Sequence, residues 1–468
     1  MVKNINEIRD PIRDPIHVFI RLLNGDERKV LDSRPLQRLR NIHQLALTYQ
    51  VYPGATHKRF EHSLGVMELA SRVFDVITHP DNVTDIIRES LPEIRELTNL
   101  PYWKFALRMA ALCHDIGHLS FSHAAEKELL PEGWDHERLT QEIILGDEMK
   151  AIWEKVTPPL KPELIVKLAI GPKKASDLEF TTWETILSEI IVGDAFGVDR
   201  MDYLLRDSHH TGVAYGKFDH YRLIDTLRIL PQVSSEKEQI ADGTHFANGS
   251  IDASGKKNNY NEPVLGVEEG GLQSAEALML ARYFMYSQVY FHRVRRIYDI
   301  HLKDFLKSWL PKGSFSTEID EHLAMTDNEI NAALYQSVNA ESIRDLAKRI
   351  TQRQHFKVLY QSTPMDTQIN RDSGLAVFNA AKLQFGEDKF RHDSYSQEGG
   401  APDFPVKMRD GKVISSLALS SVLCNMPVVS TDYVFAERGI LSNAQEWLSN
   451  NHDKIIQPKI EEAIDGQA

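Results

Sequence analysis

The sequence predicts a mainly α-helical fold with small β additions. Three observations predict it. Apolar residues recur at helical spacing in segment after segment, β-prone runs are short and few, and the one clear hairpin signal is Arg409-Asp410-Gly411. At 468 residues the chain is long enough for a large core with appended lobes.

Taken in order, Pro35 to Leu47 carries Leu36, Leu39, Ile42 and Leu45 at helical spacing behind Asp32 or Ser33 as cap. Ser63 to Ile77 repeats the pattern through Leu64, Met67, Ala70, Val73 and Phe74. Tyr102 to Leu112 brings Phe105, Ala106, Met109 and Leu112 up to His114. Thr182 to Ile191 and Ser274 to Phe305 are further long helical segments. Ser234 to Pro263 is polar and rich in Gly, Asn, Ser and Lys, which predicts a loop joining short strands at Arg228 to Leu230 and Val264 to Val267. Phe404 to Met408 and Lys412 to Ser415 flank the Asp-Gly as hairpin strands.

The net charge of -13 opposes non-specific binding along a nucleic-acid backbone, which needs cations to neutralise phosphates. It leaves room for a small anion in a locally basic pocket. No apolar run approaches the roughly 20 residues of a membrane span, and the N-terminus lacks a secretory pattern. The two cysteines, Cys113 and Cys424, fit no zinc spacing, and a reducing cytoplasm is expected. Cys113, inside an apolar run, reads as a small buried side chain.

The chemistry concentrates where an apolar helix runs into His114-Asp115-Ile116-Gly117-His118. Adjacent helical residues diverge by about 100°, so His114 and Asp115 share an ion only if it lies between them and other helices complete the set. His62 and Asp199, each at the edge of an apolar-periodic segment, are the natural partners. Two imidazoles and two carboxylates suit one divalent transition metal: Fe, Mn, Zn, Ni or Co. A lone His-Asp pair is usually a surface pair or a cap. Here His114, Asp115, His118 and His123 fall within ten residues, with Glu126 and His136 just beyond. Gly117 weakens a helix at that point, which favours His118 beside the metal over His118 on it.

Several ordered stretches carry a resemblance. They are Asp14 to His17, Leu36 to Leu45, Tyr52 to Val66, His114 to His118 with Phe121 to His123, Trp134 to Glu137, Val198 to Tyr203 with Arg206-Asp207, and more weakly Tyr290 to Val294. On these the chain resembles the HD-domain phosphohydrolases. Within them it is similar to the deoxynucleoside triphosphate (dNTP) triphosphohydrolases, the bacterial and mammalian group that includes the human sterile-alpha-motif and HD-domain dNTPase, without the sterile-alpha-motif domain. The resemblance covers roughly residues 9 to 305. It implies a multi-helix HD-domain core with small β-hairpin additions and a C-terminal α+β lobe. The corresponding ranges are 1–233 for the core, 234–263 for a polar insert, 264–310 for a long helix completing the substrate site, and 311–468 for a lobe serving assembly or regulation.

The resemblance also implies roles. His62, His114, Asp115 and Asp199 are the metal ligands, and His118, His123, Glu126 and His136 form the catalytic cluster. Arg59, Arg200, Tyr203 and Arg282 hold the triphosphate, Gln44 with Leu45 and Asp207 reads the sugar, and Tyr290 packs near deoxyribose and base. Asp32, Gln37 and Arg40 match an activating-nucleotide site at a subunit contact, which implies GTP or dNTP activation and a homo-oligomer, tetramer or dimer. Mg is expected with the nucleotide. Arginine forks suit a triphosphate, and a histidine near neutral pKa suits the departing 5′-oxygen, with His123 as donor. The group usually has Asp at Glu126 and often Lys at Arg200, changes that keep charge and alter reach. Competing readings are an HD phosphohydrolase for a monophosphate, cyclic nucleotide or alarmone, and a nucleotide or single-stranded nucleic-acid module with vestigial catalysis, which the net charge disfavours.

Overall fold

The computed structural model describes residues 11–121, 126–232, 262–396 and 400–457. His123, and the polar segment as far as residue 261, lie outside these ranges. The chain begins with an antiparallel strand pair, β1 (Ile12–Asp14) and β2 (Val18–Ile20). Among the helices that follow are α1 (Arg59–Ile77), α2 (Leu100–Cys113), α3 (His136–Leu145), α4 (Pro162–Ile170), α5 (Thr182–Val192) and α6 (Val198–Thr211). Strands β3 (Leu227–Pro231) and β4 (Pro263–Glu268) precede α7 (Leu272–Met285) and α8 (Arg293–Trp309). Then come β5 (Lys357–Gln361), α9 (Ser373–Phe385), β6 (Phe390–Ser396), β7 (Pro405–Lys407), β8 (Val413–Ser415), β9 (Ser430–Ala436) and α10 (Leu441–Ile456), with further helices, Asp327–Ser337 among them, along the chain. The fold is mainly helical with small sheets and an α+β C-terminal region, as the sequence predicts.

Local chemistry sets the helix ends. The Glu61 carboxylate accepts the Lys58 N–H at 2.8 Å, the Asp135 carboxylate accepts the Arg138 N–H at 2.8 Å, and Thr181 with Glu184 forms a capping box. Gly212 ends α6 in the left-handed region at φ 76°. The helical spacing in α2 buries Leu107, Met109 and Leu112 completely. Each such burial contributes about 1.5–3 kcal/mol.

Two predicted helices are broken. Over residues 35–47 the chain forms a short helix, Arg34–Arg38, and a 3₁₀ turn, Leu39–Asn41, before turning extended at Ile42. The Gln44 N–H donates to the His57 carbonyl and the Arg59 N–H to the Ile42 carbonyl, both at 3.0 Å. This pairing takes the backbone groups a helix would use and brings Gln44 and Leu45 beside the start of α1. The segment expected as one helix over 274–305 is α7 and α8 joined by a π turn, Tyr286–Tyr290.

The chain divides into two compact units, both discontinuous in sequence. Residues 1–285, 315–330 and 400–427 form unit 1, and 286–314, 331–399 and 428–468 form unit 2. In unit 1, α1 packs on α2 and α6, α4 packs on α2, α3 and α5, and the sheet runs β3-β4-β7-β8 with β4 and β7 parallel. In unit 2, β9 lies between β5 and β6, antiparallel to both. Its core joins Val434 and Phe390 to Val377 of α9 and Ala444 of α10.

Candidate metal centre and adjoining histidine cluster

α2 ends at Cys113, and His114 caps it with helical φ/ψ before a tight turn to Gly117. The His114 Nδ1–H donates to the Ala111 carbonyl at 2.8 Å, which fixes the tautomer and leaves Nε2 as the lone pair. That buried Nε2 has no hydrogen-bond partner among the described residues. It lies 3.3 Å from Asp115 Oδ1 and 3.5 Å from Asp199 Oδ1. His62, fully buried on α1, donates Nδ1–H to Asp202 Oδ2 at 2.8 Å and places Nε2 3.0 Å from Asp199 Oδ1 and 3.7 Å from Asp115 Oδ2. One ligand atom each from His62, His114 and Asp199 fall within 4.8 Å of one another.

These residues fit a divalent cation. A buried imidazole lone pair aimed at two carboxylates is unsatisfied without one, and the second nitrogen of each histidine is already held, as ligating histidines require. Charge agrees. Burial opposes protonating His62, yet the hydrogen bonds to Asp199 and Asp202 raise it to about 10. Burial likewise opposes ionising Asp199, but His114 and His62 hold it well below the usual carboxylate range. The pocket demands positive charge, as a proton or as a metal. His and Asp ligands together suit a first-row transition ion.

Gly117 explains how the second cluster forms. A Cβ there would stand 2.3 Å from both the His136 carbonyl and the Thr140 nitrogen, so only glycine lets the turn dock on α3. The Gly117 N–H donates to Thr140 Oγ1 at 3.0 Å. This docking stacks His118 on His136, ring centroids 3.9 Å apart. Glu126 accepts the His136 backbone N–H at 2.6 Å and its Nδ1–H at 2.7 Å. Asp115 bridges the two clusters, with Oδ1 3.2 Å from His118 Nε2 and Oδ2 accepting Arg59 Nη1 at 2.5 Å. Burial, Arg59 and His136 hold His118 well below the usual imidazole range. Burial also opposes charge on His136, but Glu126 raises its pKa.

Both clusters reach a cavity of about 990 Å³ within unit 1, lined by His114, Asp115, Asp199 and His136, and by Lys173 and Lys174. Asp194, also in its wall, is an exposed carboxylate among cations. Burial raises its pKa, and Lys173, Arg200 and Arg282 outweigh that.

The structure places the remaining sequence-predicted residues as follows. Gln44 and Leu45 lie on the extended approach to α1, with Gln44 Oε1 buried. Arg200, Tyr203 and Asp207 share α6. Arg200 donates to the Gly193 and Asp194 carbonyls, and the buried Asp207 accepts His57 Nε2–H at 2.6 Å. Arg282 is on α7, which packs on α6. Tyr290 ends the π turn in unit 2. Gln37 accepts Arg40 Nε–H at 2.8 Å, and Asp32 pairs with Arg28. Sequence reading gave no role to Asp202, His17, Arg206 or Asp327. The first three stand inside those motifs, but only the hydrogen bonds of His17 and Arg206 to Asp202, behind His62, distinguish them.

The HD domain family model matches residues 59–169, the stretch carrying His62, His114 and Asp115, and the HD associated region model matches 256–373. The crystal structure of a hypothetical protein from Aquifex aeolicus superposes with a TM-score of 0.71 at 30% identity, covering 94% of this chain and 99% of that one. The chain belongs to the HD-domain proteins. This HD-domain protein is 31% identical to uncharacterized protein YwfO of Bacillus subtilis over 63% of its own length and 54% of the relative's. It is distantly related to human deoxynucleoside triphosphate triphosphohydrolase SAMHD1, at 29% identity over 75% of this chain and 55% of that one. It thus spans a little over half the length of these curated relatives. Among the described residues, no helix is long and apolar enough to cross a membrane.

Proposed function

We propose that this HD-domain protein hydrolyses deoxynucleoside triphosphates to deoxynucleoside and inorganic triphosphate. The observation that carries the reading is the pairing of two clusters by Asp115. A cation-competent set of His62, His114 and Asp199 and a proton-handling set of His118, Glu126 and His136 share one cavity. The relationship to SAMHD1 supports the substrate class.

His62, His114, Asp115 and Asp199 would hold the divalent cation, which when bound supplies Lewis acidity and an activated water. Arg59 holds the Asp115 carboxylate through Oδ2. Lys173, Arg200 and Arg282, gathered around Asp194, offer the positive charge a triphosphate needs. Tyr203, Gln44, Leu45, Asp207 and Tyr290 are assigned to the sugar, phosphates and base. Glu126 holds the His136 Nδ1–H, so the ring can carry a proton toward the departing 5′-oxygen, with His118 stacked on it and His123 as the donor. Asp32, Gln37 and Arg40 are assigned to an activating nucleotide in a homo-oligomer.

The test incubates metal-reconstituted protein with each dNTP, singly and in mixtures, and identifies the products. Release of inorganic triphosphate supports the reading. Release of pyrophosphate or single phosphate, or hydrolysis only of a cyclic nucleotide, replaces it with another phosphoester. His114→Ala is expected to lose both bound metal and activity, and full activity in that variant would sink the site.

A further inference from the structure

We propose that Asp202 is the positioning residue of the metal centre and that the β1–β2 hairpin locks it, so that cation binding and hairpin seating stabilise one another. The inference rests on the reading that His62, His114, Asp115 and Asp199 hold a cation.

Asp202 is fully buried on α6, one turn past Asp199. Its two oxygens accept four hydrogen bonds, close to all a carboxylate can take. Oδ2 accepts His62 Nδ1–H at 2.8 Å and Arg206 Nε–H at 2.8 Å, while Oδ1 accepts His17 Nε2–H at 2.6 Å and Arg206 Nη2–H at 2.9 Å. Arg206 is held in turn by Asp14 Oδ2 at 2.8 Å, and Asp14 Oδ1 accepts the Ile16 and His17 N–H groups. Residues from the hairpin turn, α1 and α6 therefore meet at one carboxylate behind a single imidazole, and Asp14 of β1 is tied to it through Arg206.

Three features argue that this arrangement serves the imidazole and not packing alone. Two carboxylates and one guanidinium leave the buried group with net negative charge when the histidines are neutral, which a cation on the far side of His62 offsets. Gly65 on α1 makes room for it, since a Cβ there would fall 1.9 Å from Asp202 Oδ1. Val18, next to His17, has φ 65°, a left-handed conformation that a β-branched residue adopts only under constraint. The hairpin turn is held out of its relaxed geometry where His17 reaches inward. A carboxylate fixing the second nitrogen of a ligating histidine sets its tautomer and ring orientation, and losing such a group costs about 10–100-fold in metal affinity. Coupling is reciprocal, so whatever the hairpin contributes to cation affinity the cation returns to the hairpin.

The experiment titrates the full chain, stripped by chelation, with Co²⁺, following calorimetry and the visible cobalt spectrum, and compares the parent with Asp202→Asn and His17→Gln. Hydrogen exchange at residues 12–20 is measured with and without Co²⁺. The expected result is affinity about 10–100-fold weaker in Asp202→Asn with an altered spectrum, a smaller loss in His17→Gln, and Co²⁺-dependent slowing of exchange in the hairpin of the parent. If Asp202→Asn does not fold, His17→Gln, which exchanges one imidazole donor of the four for a neutral amide, decides alone. A folded variant with parent affinity and spectrum, or hairpin exchange indifferent to Co²⁺, overturns the inference. A parent that binds no Co²⁺ overturns the metal-site reading itself, and this inference falls with it.

Discussion

Glu126 takes two protons' worth of hydrogen bonding from one residue, the backbone N–H and the ring Nδ1–H of His136. Burial works against the imidazolium, and the adjacent carboxylate more than offsets it, so His136 titrates above its ordinary value. Its acid form then persists to higher pH and is lost as pH rises through the raised pKa. Glu126→Gln keeps the shape and removes the charge, which lowers that pKa. For the proposed reaction, kcat should fall by about 10²-fold, and the alkaline limb of the kcat–pH profile should move to lower pH. An alkaline limb that stays in place would separate Glu126 from proton transfer. The residues of this cluster were legible because histidines and carboxylates crowd a short stretch of sequence. Asp202 was not, because its meaning lies in His17 and His62, which are 185 and 140 positions away.

At the scale of elements, α2 delivers His114, and its placement depends on an ion pair with no solvent access. Arg108 on α2 and Glu27 are both buried and meet through two hydrogen bonds, at 2.6 and 2.8 Å, while Arg108 also holds the Arg21 carbonyl. Removing one partner of such a pair strands a buried charge. Arg108→Ala should therefore cost about 3–5 kcal/mol in urea unfolding, and the double change Glu27→Leu with Arg108→Met should recover most of it. Equal stability of Arg108→Ala and the parent would show that the pair is relaxed by water. Helices α1, α2 and α5 were legible because one apolar stripe dictates each. The break after Asn41 was not, because backbone pairing with the approach to α1 decides it. No Gly or Pro marks the π turn at Tyr286–Tyr290. The Asp-Gly at 410–411 announced the β7–β8 hairpin, but nothing local announced that β7 would lie parallel to β4.

At the scale of the molecule, the chain passes between its two units at residues 285/286, 314/315, 330/331, 399/400 and 427/428. Unit 1 is thus completed by sequence far beyond the HD domain match. Fully buried Asp327 accepts the Phe121 N–H at 2.7 Å through Oδ1, and the His43 N–H at 2.7 Å and His43 Nδ1–H at 2.6 Å through Oδ2. It ties the turn after His118 to the approach to α1. Strands β7 and β8 supply half of the four-stranded sheet, and Phe404 seats its ring 4.7 Å from that of Phe196 at the cavity wall. A chain ended after Leu310 loses all of this. Each buried N–H left unsatisfied costs about 1–3 kcal/mol, against a total stability of about 5–15 kcal/mol, before the apolar surface uncovered by Phe404 is counted. Residues 1–310 alone are therefore expected to be poorly soluble or to melt without cooperativity, and Asp327→Ala in the full chain to lower the melting temperature and weaken Co²⁺ binding. A 1–310 fragment that melts cooperatively and binds Co²⁺ like the full chain would show instead that the helices α1–α6 hold the metal centre unaided.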